Sequence, residues 1–322
     1  MPAGGKRQPY LGEHFMRIAI VGAGGIGGGY GAAFAKSGED VTFIARGAHL
    51  AAMKTTGLRV EGGRGAMHVM PVQATDDPRT VGAVDVVLFC VKLWDVESAG
   101  QQIKPMVGKD TAVITLQNGI DAHERLAPIV GGSAVMPGVA NISAVIAEPG
   151  VIRQTGTLMR MVFGELDGSK SARGQALAAA CTKAGIDGVL SEAILTDLWM
   201  KFILLASNAG MMALARLPIG HLRDDPDIAP YFVAAYEEVT AVGRAAGIAL
   251  PADAVERTLN FNRNAPAHLM ASMGADLLRG NRIELPWLSG KVIALGRRHG
   301  VPTPTHAFMY AMLKPYIMGT PS

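Results

Sequence analysis

The stretch Met16-Arg-Ile-Ala-Ile-Val-Gly-Ala-Gly-Gly-Ile-Gly-Gly-Gly-Tyr30 decides the fold. Ile18 to Val21 is an apolar, β-branched run that predicts a buried strand; it breaks into glycines, and Tyr30 to Lys36 reads as helix. Strand, tight turn and helix around Gly22-x-Gly24-x-x-Gly27 form a dinucleotide fingerprint. One glycine makes the turn, one lets a pyrophosphate approach the backbone, and one allows the helix to pack closely on the strand. Gly22, Ala23, Gly24, Gly25, Ile26 and Gly27 are therefore the expected cofactor-binding loop, with the anion held by unpaired N–H groups at a helix N-terminus.

The 322 residues leave room for two domains, and 49% hydrophobic against 18% charged residues is enough to bury a sizeable core. A net charge of +3 without a Lys/Arg stripe argues against nucleic acid and is compatible with an anionic small molecule. Cys90 and Cys181 lie in or beside apolar sequence, as expected for buried thiols in a reducing cytoplasm. The histidines are scattered without metal-ligand spacing, so no metal is expected. Residues 1–15 are polar, with no apolar signal-peptide core, and read as a disordered extension before a start at Met16.

Asp40 to Ala45 is the second strand, ending where an adenosine ribose lies in a doubly wound sheet. An NAD enzyme places Asp or Glu there; Ala45-Arg46 offers a guanidinium instead, which pairs with a 2′-phosphate and argues for NADP. Gly57 to Glu61 and Met67 to Pro71 predict a short hairpin around Gly62-Gly63. Val84 to Val91 and Thr111 to Leu116 are continuous buried strands ending in Lys92 and in Gln117-Asn118-Gly119, which gives a shared polar rim at the ligand crevice. Ser133 to Ile146, Gly150 to Gln154 and Leu158 to Phe163 are β-like, the last two expected to pair as an antiparallel hairpin across Thr155-Gly-Thr157. Helical sequence dominates from Ala172 to Ala184 and again after about Ser191, so the composition shift near Gly188 marks the domain boundary.

Within the second half, Leu198-Trp-Met-Lys-Phe-Ile-Leu-Leu-Ala206 places Lys201 in an almost uniformly apolar helix, interrupted and too short for a membrane span. A buried ammonium is costly and its pKa falls; the alternative is a lysine that snorkels to water. Lys201, Leu205 and Asn208 share one helix face, and this polar pair on an apolar helix favours a site. Glu284 precedes a helix N-terminus, where a carboxylate is stabilised with or without a function.

In chain order, Gly22-x-Gly24-x-x-Gly27, Cys90-Val-Lys92, Leu116-Gln-Asn-Gly119, Gly156-Thr to Phe163-Gly-Glu165, Leu198-Trp-Met-Lys201, Ser272-Met273 and Glu284 resemble the ketopantoate reductase (2-dehydropantoate 2-reductase) family. The resemblance spans nearly the whole chain after Met16. It implies an α/β fold with an N-terminal Rossmann-type, mostly parallel sheet (residues 16–190) that binds NADPH, and a C-terminal all-helical domain (residues 191–322) that supplies the acid. The implied reaction reduces a 2-oxo acid to a D-hydroxy acid on the route to pantothenate. Lys201 matches the general acid, Asn118 an asparagine near nicotinamide and substrate, and Lys92 and Arg46 basic residues on the adenosine side. Ser272 matches the serine that binds the substrate carboxylate and Glu284 the glutamate that binds its hydroxyl.

The chain departs from the family where asparagines follow the lysine at one and two turns, since Leu205 and Ala209 stand there and Asn208 is the nearest substitute. A relative of ketopantoate as substrate therefore stays open. So do an NADP-binding sensor with an eroded site and another β-hydroxyacid-type dehydrogenase. The Met-rich C-terminal helices are compatible with packing inside one chain or across a homodimer.

Overall fold

The computed structural model describes residues 15–321, so the expected extension lies, apart from Phe15, outside the described residues. The first half contains β1 (Arg17–Val21), α1 (Gly25–Lys36), β2 (Asp40–Ile44), α2 (Gly47–Thr56), β3 (Leu58–Gly62), β4 (Met67–Val69), β5 (Gln73–Thr75) and β6 (Val84–Phe89). It continues with α3 (Val96–Ile103), β7 (Val107–Thr115), α4 (Ala122–Val130), β8 (Val135–Glu148), β9 (Val151–Phe163), α5 (Ala172–Lys183) and β10 (Asp187–Leu190). Then come α6 (Ile194–Ala215), α7 (Ala229–Ala245), α8 (Ala254–Asn264), α9 (Ser272–Leu278), α10 (Ser289–His299) and α11 (Pro304–Leu313), with no further strand among the described residues.

The sheet order is β4-β3-β9-β8-β7-β6-β1-β2-β5, with β10 added on β9. From β5 through β2, β1, β6 and β7 to β8 every pairing is parallel. This is why the central strands read as unbroken apolar runs: helices cover both faces, and Ile18, Ala19, Ile20 and Val86 to Phe89 are almost wholly buried. Tyr30 and Phe34 of α1 cover one face with Phe43; Leu126 of α4 and Val96 of α3 cover the other. A separate core around Trp199, Phe202, Phe232, Tyr236 and Leu285 holds the helical half.

The predicted hairpin at Thr155-Gly-Thr157 is corrected. Gly150–Gln154 and Leu158–Phe163 both belong to β9, and β9 runs antiparallel to β8 around Pro149-Gly150, where Gly150 has φ +80°. Gly156 sits in a bulge instead, where the register steps from Ile142 opposite Met159 to Ser143 opposite Thr155. A glycine between β-rich runs has the same sequence signature in a bulge as in a turn. The four-residue strand β10, parallel to β9, also escaped the sequence reading.

At 22 residues α6 is, against expectation, long and apolar enough in composition to cross a membrane. It is instead the central helix of the second core, with 61% of its most apolar stretch buried.

Candidate functional site

The glycine loop leaves the end of β1 in the conformation the fingerprint predicts. Gly22 has φ +91° and lies against the Cys90 carbonyl at the end of β6, where an added Cβ would come within 3.0 Å. A side chain at Gly27 would meet the Gly22 carbonyl at 2.3 Å, and one at Gly25 would meet the Ala144 carbonyl of β8 at 1.9 Å. Gly24 differs, since nothing lies within 4 Å of its missing Cβ. Gly24 is also the N-cap of α1, so the first backbone N–H groups of the helix, which have no intrahelical partner, follow directly on it. Free helical donors, the positive end of the dipole and room for close approach together fit a dinucleotide pyrophosphate.

Arg46 follows β2 as the N-cap of α2, its side chain 89% exposed and 3.6 Å from Asp95. It remains available to a 2′-phosphate. His49, one turn further on, was missed by the sequence reading. Its Nδ1 accepts the Gly150 N–H at 3.1 Å while its buried Nε2 has no hydrogen-bond partner. Burial lowers its pKa, in keeping with a neutral ring whose Nδ1 is an acceptor.

The second cluster draws its side chains from both halves of the chain. Lys201, on the first half of α6, donates to the Ala140 carbonyl of β8 at 2.8 Å and to Asn118 Oδ1, just beyond β7, at 3.3 Å. Asn118 in turn donates through Nδ2 to Ser272 Oγ at 3.5 Å, at the start of α9. Glu284 enters from the turn before α10 and accepts the Leu93 N–H at 3.1 Å. Burial pulls the Lys201 pKa down to about 8, against the opposing pull of Glu284. Burial likewise raises Glu284, with Lys92 and the Leu93 N–H acting in the other direction. An ammonium has three N–H donors; two are engaged here, and the third is free for an incoming oxygen.

Lys201, Asn118, Ser272 and Glu284 are therefore brought together in one region. Lys92 is placed differently from expectation. Although its backbone follows β6 near Arg46's partner Asp95, its Nζ reaches across to Asp276 of α9 at 2.9 Å and Glu284 at 3.9 Å. Burial works to lower its pKa, but Glu284 and Asp276 outweigh it and the net shift is upward. Asn208 does share a face with Lys201, but it is buried, its Oδ1 accepting the Tyr236 hydroxyl at 2.5 Å and its Nδ2 donating to Asn262 at 3.4 Å.

Asp276 carried no signal of its own in the sequence, four residues after Ser272 on a short amphipathic helix. Nor did the stack that closes the seam beside it. There Arg282 lies 4.6 Å from the Trp94 ring and 5.9 Å from that of Trp287, with Arg125 5.7 Å from Trp287.

The model for ketopantoate reductase PanE/ApbA matches residues 18–168, and that for the family's C-terminal part matches residues 193–316. A 2-dehydropantoate 2-reductase of Mesorhizobium japonicum is 31% identical over 93% of this chain and 97% of its own. The crystal structure of a PanE/ApbA family ketopantoate reductase from Ralstonia eutropha JMP134 aligns with TM-score 0.86 and 32% identity, over 94% of this chain and 98% of that one. A 2-dehydropantoate 2-reductase from Geobacter metallireducens GS-15 aligns with TM-score 0.87 and 29% identity, over 93% and 99%. On these grounds the chain belongs to the ketopantoate reductase family, and with it to the NADP-dependent oxidoreductases that act on CH–OH groups.

Proposed function

We propose that the protein reduces ketopantoate or a closely related 2-oxo acid to the D-hydroxy acid, with Lys201 as general acid. The observation that carries this reading is the Lys201 ammonium: half-buried, with a pKa near 8, anchored by Ala140 and Asn118 and left with one free donor. When bound, NADPH supplies the hydride that adds to the ketone carbon and leaves as NADP⁺. Negative charge develops on the carbonyl oxygen, and Lys201 stabilises it and gives up a proton from Nζ to form the hydroxyl. The balance is one 2-oxo acid, one NADPH and one proton to one 2-hydroxy acid and NADP⁺.

The backbone of Gly22, Ala23, Gly24, Gly25, Ile26 and Gly27 would hold the pyrophosphate and Arg46 the 2′-phosphate. Asn118 would sit between nicotinamide and substrate, tied to Lys201 on one side and Ser272 on the other. Ser272, exposed at the first turn of α9, would take the substrate carboxylate. For Lys92 the contacts support a different role from adenosine binding: its ammonium lies between Asp276 and Glu284 and stabilises the buried Glu284 carboxylate. Asn208 would support the shape of the pocket through Tyr236 and Asn262 rather than touch substrate.

We divide the molecule into a cofactor domain, 16–190, and a catalytic domain, 191–322; β10 ends at Leu190 and α6 begins at Ile194. Free Cys90 and Cys181 support a cytoplasmic setting, and Phe308 and Met312, exposed one turn apart on α11, support a homodimer.

Stopped-flow oxidation of NADPH with ketopantoate and related 2-oxo acids tests the reading. Lys201→Ala is expected to slow the chemical step by about 10²–10⁴-fold. Equal rates in variant and wild type would remove Lys201 as the acid.

A further inference from the structure

We infer that Arg125 is a positioning residue for the Glu284 carboxylate: it braces both sides of the hydrogen bond that engages one Glu284 oxygen and leaves the other for substrate. The inference rests on the reductase reading above and adds a residue to it. Glu284 Oε1 accepts the Leu93 N–H at 3.1 Å, a bond between the two halves of the chain. Its Oε2 makes no hydrogen bond among the described residues and lies 3.9 Å from the Lys92 ammonium. On the reading above, Oε2 is the oxygen left to accept the hydroxyl of the hydroxy acid.

Arg125, on α4, reaches the donor side and the acceptor side of that bond. Its Nη2 donates to the Leu93 carbonyl at 2.7 Å, and its guanidinium lies 5.7 Å from the Trp287 ring. Trp287 closes the turn that carries Glu284, its N–H donating to the Glu284 carbonyl at 3.0 Å. The guanidinium is itself held in place. Nε and Nη2 donate to the two Glu97 carboxylate oxygens, each at 2.7 Å, and Nη1 lies 3.8 Å from Asp121, which pairs with Lys291 at 2.6 Å.

Leu93 opens the short turn Leu93–Asp95, whose backbone bond runs from the Asp95 N–H to the Lys92 carbonyl. Burial of the Leu93 side chain fixes where the residue sits but not the rotation of the peptides beside it; the bonds from Asp95 and Arg125 do that. Without Arg125 the Leu93 carbonyl loses its charged partner, and the neighbouring N–H is free to swing off Glu284. A carboxyl that loses an N–H donor is harder to ionise. The other charged groups facing Glu284 are Lys92, Asp276 and Lys201, and replacing Arg125 leaves all three in place.

Carbon-13 NMR of protein labelled at the glutamate carboxyl carbon, with Glu284→Gln identifying the resonance, follows this titration without any substrate. Arg125→Met is expected to move the Glu284 midpoint up by about one pH unit. Arg125→Lys keeps the charge but cannot fork to Glu97 and Leu93 together; it is expected to move the midpoint the same way by less, and carries the test if methionine prevents folding. In NADPH oxidation, Arg125→Met is expected to lower kcat/KM for ketopantoate by about tenfold in the wild-type background and by less than about twofold in Glu284→Gln.

A Glu284 midpoint unchanged in the variants that fold, or an equal loss of kcat/KM in the two backgrounds, overturns the inference and leaves the reductase reading intact. Failure of the wild type to oxidise NADPH with any 2-oxo acid overturns the reductase reading, and the titration then still decides whether Arg125 sets the Glu284 carboxylate.

Discussion

Replacing Lys201 by methionine should make the protein more stable relative to wild type at neutral pH than at alkaline pH. The free lysine in an unfolded chain titrates near 10.4, whereas in the fold burial holds Lys201 at about 8. The lowered value means that the unfolded state binds more protons than the native state between these two pKa values, so wild-type stability rises as pH increases through that window. Integrating the linkage gives a cost to the wild type of about 3 kcal/mol at pH 7, falling to about 1 kcal/mol at pH 9.5. Methionine has no such titration. It also gives up the hydrogen bonds to Ala140 and Asn118, but that loss is nearly the same at both pH values.

The pH-dependent part, about 2 kcal/mol, is thus separable from the rest. It is read from urea unfolding midpoints of the two proteins at both pH values, with m unchanged. A stability difference that stays constant from pH 7 to pH 9.5 would refute the claim that Lys201 is desolvated. The same titration predicts that reductase activity falls as pH rises through about 8, as the ammonium form is lost.

Two neighbouring glycines should separate cofactor binding from folding. Gly24→Ala puts its methyl into open space and is expected to fold with an unchanged melting temperature while weakening NADPH binding at least tenfold; Gly25→Ala drives a methyl into the Ala144 carbonyl and should destabilise the fold itself, both read by thermal melts and fluorescence titration. Arg46→Ala should weaken NADPH binding by about 10- to 100-fold, the value of one to two charge-assisted hydrogen bonds, and leave NADH binding unaltered; equal effects on both cofactors would deny Arg46 the 2′-phosphate.

The doubly wound core was legible because its signals are local. An apolar run, a glycine loop and a helix lie within Met16–Lys36, and the strands that precede Lys92 and Asn118 carry their burial in continuous apolar sequence. What failed was long-range pairing. Gly150 and Gly156 both stand between β-rich runs, and only the partner strand decides which is the turn; β8 puts the turn at Pro149-Gly150 and leaves Gly156 in the bulge.

The candidate site follows the same division. Lys201 stood out because a charge is expensive in an apolar helix, so its neighbours alone announced it. Asp276 and His49 are ordinary polar residues on helices, and their importance comes from contacts at sequence separations of 184 and 101 residues. For Asn208 helical periodicity gave the correct face, but it carried no information about Tyr236 and Asn262, which engage its amide.

Strand β8 acts as a gauge between the glycine loop and Lys201. Its Ala144 carbonyl rests against Gly25 at the phosphate loop, and its Ala140 carbonyl anchors the Lys201 ammonium. Four residues of extended chain span about 13 Å, so the separation between the glycine loop and the Lys201 ammonium follows a single strand. On the proposed reading, the distance from the phosphate site to the proton donor is then set by the length of this strand.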